Sequence, residues 1–347
     1  MPSSPTSSNV PASSARSDRQ YIADFAASQY VSGIFSISNA QLGRTKTDKP
    51  FLKCILRDKT GEVSARMWSI DQDHFSRLPS DGFVYIEGET QPYQGELQLI
   101  LRVIDATEVS DEMLRDLLPV TKRDIEQMYA EVLFLLETLE HPAMKGLAKV
   151  YTEDAPLMTA FKRAPAAKSI HHAYIGGLLE HTLTLMNLAN VICPFYPAMN
   201  RDIVLFGLFI HDLGKTRELV YDRTFAYTDR GELIGHIVDG AIMLGDRVQK
   251  LMSTQGIRPP VGLLTVLQHI VLSHHGVPEF GAAKLPATPE AILISCLDNL
   301  DAKAAMSLHA ARPDRGENAP KNFGGNFTEK NFALGTKLFK LNPLDPA

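Results

Sequence analysis

The sequence predicts a multidomain α and β protein in which a small five-stranded β-barrel precedes an all-α domain. Two observations support this class. Residues 30–109 alternate apolar and polar side chains over short runs, as half-buried strands do. From residue 111 onward, apolar residues recur every three or four positions, as on one face of a helix. Because 347 residues are many for a single core, we expect two domains with flanking tails.

Residues 1–19 are rich in Ser, Pro and Ala and almost free of large apolar side chains, which predicts a disordered tail. Residues 20–110 contain five strand-like runs, separated by turn signals such as Asp81-Gly82. Five short strands favour a Greek-key barrel of the OB-fold type over a sandwich, which needs about seven. The runs are YVSGIFSIS, PFLKCILRD, EVSARMWSI, FVYIEGETQPY and ELQLILRVI.

OB-folds bind single strands by stacking bases on exposed aromatic side chains that lie beside basic ones. We therefore interpret the barrel as a nucleic-acid-binding domain. The structural alternative is strong, because about half the aromatic side chains of a period-two strand point into the core. The domain also has more acidic than basic residues. The candidate contacts are Phe35, Lys53, Arg57, Arg66, Trp68, Tyr93 and Arg102.

The helical part divides into three segments. Residues 111–160 form a predicted helical linker whose apolar stripe, within 120–139, packs on the next domain. Residues 161–310 form the all-α domain, and 311–347 form a loop and C-terminal segment. Gly and Pro residues mark the helix ends. After the stripe, the predicted helices cover 141–151, 155–162, 171–192, 200–213, 235–252, 259–274 and 289–308.

Histidine and aspartate residues recur at helix-sized intervals in the all-α domain, and eight of the eleven histidines fall within 171–275. A single histidine on an apolar helix is more often a hydrogen-bonded core residue than a ligand. Here, however, several lie in apolar segments such as LFGLFIHDLGK, where an uncompensated polar group costs several kcal/mol. Coordination of a divalent metal removes that cost, so the series predicts a metal site and an enzyme. Its members are His181, His211, Asp212, His236, His274, His275 and Asp298.

Composition limits the other classes of function. The three cysteines are scattered, which favours a reducing compartment and argues against a thiolate metal site. No apolar run approaches the ~18 residues that cross a bilayer, and the N-terminus does not resemble a signal peptide. We expect a cytoplasmic protein with no membrane association. The net charge of -5 exerts no overall attraction on nucleic acid, so any binding must come from a local groove.

The segments HHAYIGGLLEHTLTL, LFIHDLGKTREL, GHIVDG, LSHHGVPEFGA and EAILISCLDNLDAKA resemble the HD-domain metal-dependent phosphohydrolases. With an OB-fold in front of them, residues 20–340 resemble the YhaM-type 3′-to-5′ exoribonuclease family. The resemblance implies hydrolysis of single-stranded RNA, and of single-stranded DNA as a further expectation. A metal-bound hydroxide would attack the phosphodiester, and the products would be nucleoside 5′-monophosphates.

The resemblance also implies roles for the metal-binding series. His181, His211, Asp212 and Asp298 would hold one ion. His236 and His274 match the additional histidines of binuclear members, in which Asp212 bridges both ions. His275 would be a further ligand or a hydrogen-bond partner of one. Two ions about 3.5 to 4 Å apart suit this chemistry. Manganese is the expected metal, with iron, cobalt or zinc as alternatives.

Residues around the series have expected roles too. Asp212 and Lys215 would be catalytic, because Lys215 resembles the family lysine that contacts the scissile phosphate. The alternative is a solvated lysine after a helix end. Asp301, one turn from Asp298, could orient a ligand histidine. Lys168 and His172 could meet RNA phosphates or be structural, and homo-oligomerisation is compatible with the sequence.

Three alternatives remain open at this point. The chain could be an HD-type nucleotide or cyclic-nucleotide phosphohydrolase, although the GYP signature is absent after SHHG and a nucleotidase would not need an OB-fold. It could be a mixed-valent iron oxygenase, because iron binds the same ligands. It could also be a nucleic-acid-binding module with an inactive HD site, but the ligand series contains no substitution.

Overall fold

The computed structural model describes residues 19–45, 47–93, 96–168, 172–221, 225–312 and 325–344. Apart from Arg19, the predicted N-terminal tail lies outside these ranges. Most of the predicted loop that follows residue 311 also lies outside them.

The N-terminal part contains five strands, β1 (Tyr30–Arg44), β2 (Pro50–Asp58), β3 (Gly61–Trp68), β4 (Gly82–Tyr93) and β5 (Glu96–Ala106), with helix α1 (Gln72–Arg77) after β3. The strands form a closed barrel in the order β1-β2-β3-β5-β4. Strands β3 and β5 pair in parallel, and the other neighbours are antiparallel. Inward side chains such as Leu52, Cys54 and Leu56 of β2 alternate with outward ones and fill the barrel. The predicted OB-fold barrel is therefore confirmed.

The C-terminal part is helical, as predicted, apart from the two-stranded ribbon β6 (Leu219–Val220) and β7 (Ala226–Tyr227). Its first helices are α2 (Asp111–Leu117), α3 (Ile125–Glu137), α4 (Pro142–Thr152), α5 (Ala155–Arg163) and α6 (Gly177–Ile192). The later ones are α7 (Arg201–Ile210), α8 (Lys215–Glu218), α9 (Asp229–Gln255), α10 (Leu263–Ser273) and α11 (Pro289–Ala311). Short 3₁₀ turns cover Ile22–Asp24, Cys193–Phe195 and Pro278–Phe280.

One hydrophobic core extends from α3 to α11. The apolar stripe of α3 is buried in it, with Met128, Val132 and Leu136 in the same cluster as residues of α6, α7 and α10. Helices α4 and α5 contribute to this core as well. The stripe thus packs on the helices that carry the histidine series. The domain boundaries at 110/111 and 160/161 stay predictions.

The predicted helix at 171–192 is wrong at its start, because the described residues 172–176 are not helical. Ile175 is extended and bridges to Val120, donating its N–H to the Pro119 carbonyl and accepting from the Thr121 N–H. Gly176 then takes a φ of 84°, a left-handed conformation that a glycine adopts readily, and α6 begins at the next residue. This extended stretch ties the chain before α6 to the chain before α3.

Polar contacts join the barrel to the helical part. Nζ of Lys59, the residue after β2, lies 2.6 Å from a carboxylate oxygen of Asp116. Nζ of Lys168 lies 3.0 Å from Oδ2 of Asp81. In the described part of the chain, none of the helices combines the length and apolar character that crossing a bilayer requires.

Candidate metal centre and nucleic-acid interface

The His211-Asp212 pair lies in a tight turn between α7 and α8. Helix α7 is buried over Val204–Ile210, so its end carries both side chains to the middle of the core. Gly214 in the same turn cannot be replaced freely, because a Cβ there would lie 2.1 Å from the carbonyl oxygen of His236. The missing side chain lets the backbone at His236 pack directly on the turn.

A break in α9 positions His236. Gly235 takes a φ of 73° and interrupts the helix, so His236 opens its second half. Glu218, at the end of α8, accepts the His236 backbone N–H at 2.9 Å and so fixes this new helix start. The other predicted ligands lie on α6, at the end of α10 and on α11, and they are His181, His274, His275 and Asp298.

Asp212 divides the cluster into two ends. Its Oδ2 atom lies 3.4 Å from Nε2 of His211 and 3.8 Å from Nε2 of His181. Its Oδ1 atom lies 3.4 Å from Nε2 of His236 and 3.3 Å from Nε2 of His274. Each carboxylate oxygen thus faces its own pair of histidines, which is the geometry of a carboxylate that can bridge two cations.

The remaining predicted ligands join one end each. Asp298 Oδ1 lies 3.2 Å from His181 Nε2, on the side of Asp212 Oδ2. His275 belongs to the other side, where it offers a ring nitrogen within 4.8 Å of ligand atoms of Asp212, His236 and His274. The first end therefore consists of His181, His211, Asp298 and Asp212 Oδ2. The second end consists of His236, His274, His275 and Asp212 Oδ1.

Every histidine of the centre has its Nδ1 atom fixed by a hydrogen bond. Backbone carbonyls of Leu208, Val271 and Phe280 lie 2.7 Å from this atom in His211, His274 and His275. Carboxylates of Asp301 and Glu218 take the same place for His181 and His236. A neutral ring with its proton on Nδ1 offers the lone pair of Nε2 to a cation, which is how metal-binding histidines are held in place.

Four buried polar atoms at the centre make no well-formed hydrogen bond within the described residues. They are Nε2 of His211, His236 and His274, and Oδ1 of Asp212. Leaving one such group unsatisfied costs about 1 to 3 kcal/mol, so four of them in one place need a compensating partner. All four belong to Asp212 or to histidines whose Nε2 atoms lie 3.3 to 3.4 Å from its carboxylate. The donor set is imidazole and carboxylate only, and it fits divalent metal ions.

The electrostatics of the centre also favour positive charge. Burial would lower the pKa of His181, but hydrogen bonds to Asp298 and Asp301 outweigh burial and raise that pKa to about 9. Burial would raise the pKa of Asp212, but Lys215 and His211 hold it well below its usual range. Burial and the neighbouring His274 lower the pKa of His275 to about 3. Asp212 is thus ionised and the His275 ring is neutral, and both forms suit binding of a cation.

Lys215 lies inside this centre and is not a solvated lysine, since only 8% of it is exposed. Its Nζ atom lies 2.6 Å from Asp212 Oδ2. Burial would lower the pKa of Lys215, but Asp212 outweighs burial and raises it, so the side chain is an ammonium. The Lys215 ammonium is therefore a positive group beside Asp212, the carboxylate that both ends share.

A second candidate interface lies on the outer face of β2 and β3. Trp68 pairs with Phe51 across the two strands, with ring centroids 5.3 Å apart. Lys53 pairs with Arg66 in the same register, and the Arg66 guanidinium lies over the Tyr93 ring at 5.1 Å. Trp68 is 47% exposed and Tyr93 41%. We call these five residues the stacking patch: Phe51, Lys53, Arg66, Trp68 and Tyr93.

Three other barrel candidates lie apart from the patch. Phe35 is buried against Phe25, so its predicted role in stacking is wrong. Arg57 is buried and donates to Glu62 at 2.8 Å. Arg102 is exposed and pairs with Glu89 at 3.1 Å. The nucleic-acid contacts of Arg57 and Arg102 stay predictions.

The two candidates next to α6 are also engaged in protein contacts. Lys168 pairs with Asp81 of the barrel and lies 5.8 Å from the Tyr227 ring centre. His172 Nε2 lies 3.0 Å from Asp301 Oδ2, and its side chain is 10% exposed. Both side chains thus have structural partners, and their contact with RNA stays a prediction.

Comparison with known proteins agrees with this arrangement. The HD domain family model matches residues 178–303, the stretch that carries every predicted ligand. The 3′-5′ exoribonuclease YhaM of Geobacillus sp. (strain WCH70) is 34% identical over 313 residues, which cover 87% of this chain and 89% of the relative. The chain belongs to the YhaM family. This membership spans both the barrel and the HD domain.

A solved structure of RecG bound to a three-way DNA junction is a much more distant match to this YhaM-family chain. It is 12% identical, covers 71% of this chain and 34% of that chain, and has a TM-score of 0.21. That likeness carries no argument about fold or function.

Two parts of the YhaM-family centre differ in how well the sequence indicates them. The contact between Asp301 and a ligand histidine was expected from its position one turn after Asp298, and it is confirmed by the 2.7 Å distance to His181 Nδ1. Glu218 was missed. Its signal was the segment GKTRE that follows the histidine-aspartate pair, but only the break at Gly235 brings it to His236.

Proposed function

We propose that this protein is a metal-dependent 3′-5′ exoribonuclease that shortens single-stranded RNA and releases nucleoside 5′-monophosphates. One observation carries the proposal: a buried Asp212 stands between two pairs of histidines whose Nε2 atoms face it. The polarity and the substrate come from the relative named 3′-5′ exoribonuclease, which is 34% identical to this chain. Membership in that family makes the protein a hydrolase.

We propose that each end of the centre holds one divalent ion, with manganese as the expected metal. Ions bound there would supply an activated water nucleophile and neutralise charge on the phosphate. Asp212 would help to hold both ions, since each of its oxygens faces one pair of histidines. The histidines, fixed through Nδ1, would hold their Nε2 atoms in place without reorganisation during the reaction.

The Lys215 ammonium is the group of the centre that we propose to meet the scissile phosphate directly. It is buried beside Asp212, in surroundings where a charge acts more strongly than in water. We propose that Nζ donates to a non-bridging phosphate oxygen and stabilises the negative charge that develops there in the transition state. Asp212 would hold it in position.

The stacking patch would hold the strand upstream of the cleaved end. Aromatic rings accept any base by stacking, so binding of this kind lets successive nucleotides move past without selection for sequence. Lys53 and Arg66 would contact the backbone phosphates beside the rings. An exonuclease needs such tolerance, because each cycle presents a new terminal base.

The test uses metal-stripped protein and a 5′-labelled single-stranded RNA with a free 3′ hydroxyl. With added Mn²⁺ we expect a ladder of products that shortens from the 3′ end, and nucleoside 5′-monophosphates in solution. Asp212→Ala should produce no ladder while still binding the RNA. An RNA with a 2′,3′-blocked end should resist the wild-type protein and so verify the direction.

Two results would contradict the proposal. A ladder retained by Asp212→Ala would show that the centre is not where hydrolysis occurs. The absence of a ladder with any divalent metal, together with hydrolysis of nucleotides or of a small phosphodiester, would indicate a nucleotide-level phosphohydrolase.

A further inference from the structure

Two carboxylates outside the ligand set each contact one histidine of the centre. Asp301 Oδ2 lies 2.7 Å from Nδ1 of His181, which belongs to the first end. Glu218 Oε1 lies 2.8 Å from Nδ1 of His236, which belongs to the second end. The other three histidines use neutral backbone carbonyls instead. Each end therefore has one histidine whose ring is polarised by a negative charge.

A carboxylate behind an imidazole does more than orient it. It accepts a hydrogen bond from the Nδ1–H group, which excludes the other tautomer and makes Nε2 a stronger electron-pair donor. A carbonyl oxygen orients the ring but carries no net charge. We therefore expect His181 and His236 to be the histidines that decide the affinity of their respective ends.

Asp301 has a second partner that holds it in place. His172 Nε2 lies 3.0 Å from the same Oδ2 atom, and the rings of His172 and His181 are 5.7 Å apart. His172 takes a φ of 49°, which is uncommon for a residue with a Cβ and marks a position that the surroundings impose. Its carbonyl accepts from the Ala166 N–H, and a Cβ at Gly177 would lie 2.0 Å from that carbonyl oxygen.

Further hydrogen bonds connect His172 to the chain before α3. Its Nδ1 atom lies 2.6 Å from the Tyr174 hydroxyl, which lies 3.0 Å from Glu180 Oε2. The Thr121 hydroxyl donates to the same Glu180 oxygen at 2.5 Å. A continuous network thus runs from the chain before α3 to Asp301 and then to His181. Glu218 at the second end instead anchors to the backbone of the ligand that it serves.

We propose that Asp301, held by His172, and Glu218 are positioning residues that set the metal affinity of the first and second ends independently. The inference rests on the proposed function in one respect, namely that both ends bind a metal ion. It gives His172 a role inside the protein, through Asp301, in place of an RNA contact.

The experiment is a titration of metal-stripped protein with Mn²⁺, in which electron paramagnetic resonance measures the free ion. Asp301→Asn and Glu218→Gln keep the shape of each side chain and remove its charge. Each should weaken one of two binding events by roughly 10- to 100-fold and leave the other unchanged. Glu232→Gln, at an exposed position of α9, is the matched control and should change neither.

Double variants assign each effect to an end. In Asp298→Ala, which lacks a first-end ligand, Glu218→Gln should still weaken the remaining ion and Asp301→Asn should not. His172→Gln should weaken the same event as Asp301→Asn by a smaller factor. It should add little to the effect of Asp301→Asn, because the two residues act through one contact. Thermal unfolding of the metal-stripped variants identifies any that fail to fold, and His172→Gln then tests the first end in place of Asp301→Asn.

The inference would be overturned if either carboxylate variant weakened both binding events equally, or if it changed neither event. Loss of a whole equivalent of metal in His172→Gln would also overturn it. In that case the ligand atoms of His172, His181 and Asp301, which lie within 4.8 Å of one another, would form a metal site of their own. The titration contains no RNA, so a wild-type protein that binds two ions but fails to degrade RNA would contradict only the proposed function.

Discussion

The metal centre and the stacking patch are built in opposite ways. In the centre, buried histidines are fixed through Nδ1, and Asp212 has its two oxygens directed at different pairs. In the patch, Trp68 and Tyr93 are nearly half exposed, with Trp68 against the Phe51 ring and Tyr93 beneath the Arg66 guanidinium. Bond cleavage needs groups preorganised in a dry site, whereas a strand that must slide needs contacts that accept any base.

The largest effect that separates the two regions should come from Asp212→Ala. Because Asp212 serves both ends, its loss should abolish tight binding of both ions and lower hydrolysis by more than about 100-fold, the upper end for loss of an outer-shell partner. Calorimetry can measure this without RNA. Metal at 100 times its Kd stabilises a native protein by about 2.7 kcal/mol per site, and the variant should lose that gain.

A single-end variant is the control for this prediction. Asp298→Ala removes a ligand of the first end only, so one binding event should remain in the titration. RNA affinity of both variants should equal that of the wild-type protein, since the stacking patch is intact. If Asp212→Ala kept one tight ion, the bridging role drawn from its geometry would be wrong.

The next effect concerns Lys215. Lys215→Met keeps much of the side-chain volume and removes the charge that would contact the scissile phosphate. We expect kcat to fall by about 10²- to 10³-fold, as when one transition-state donor is removed, with both metal binding events preserved. Single-turnover rates at saturating Mn²⁺ measure this. A change confined to KM would show that Lys215 binds the substrate and does not stabilise the transition state.

The sequence predicts most of the fold because both periodicities are local. Alternation over five short runs predicts the barrel, and three- and four-residue spacing predicts helices α3 to α7 and α9 to α11 but not the four-residue α8. The start of α6 was predicted too early, since the apolar pattern continues through residue 175. The helix does not start earlier because Ile175 pairs with Val120, some fifty-five positions away in the chain. No local pattern encodes such a pairing.

The sequence also predicts only part of the candidate site. Ligand types and their helical spacing identify a metal site, because apolar helices would not otherwise carry His and Asp. The split of the ligands into two ends depends on where each oxygen of Asp212 points, and this is a property of the packed core. Glu218 reaches His236 only through the kink at Gly235, and Phe35 lies inside a barrel whose strand alternation alone does not reveal which face is inward.

A smaller effect should come from the stacking patch. Trp68→Ala and Tyr93→Ala should each weaken RNA binding by about 1 to 3 kcal/mol, or roughly 5- to 150-fold. Fluorescence anisotropy in an Asp212→Ala background measures affinity without degradation. Hydrolysis of a small phosphodiester by the single variants should be unchanged, because that substrate does not reach the patch. A loss of that activity would mean that the two regions are not separate.

The smallest effect should be that of Arg102→Ala. Arg102 and Glu89 form an exposed ion pair, which contributes about 0 to 1 kcal/mol to stability, and Arg102 stands outside the stacking patch. Arg66→Ala is its matched comparison, because Arg66 carries the same charge on the same barrel but lies over the Tyr93 ring. Arg66→Ala should weaken RNA binding and lower the salt dependence by about one phosphate contact, while Arg102→Ala should lower both by less. Equal losses from the two variants would mean that the barrel attracts RNA through charge spread over its surface. The stacking patch would then not be a defined binding site, and the contrast drawn between it and the metal centre would be wrong.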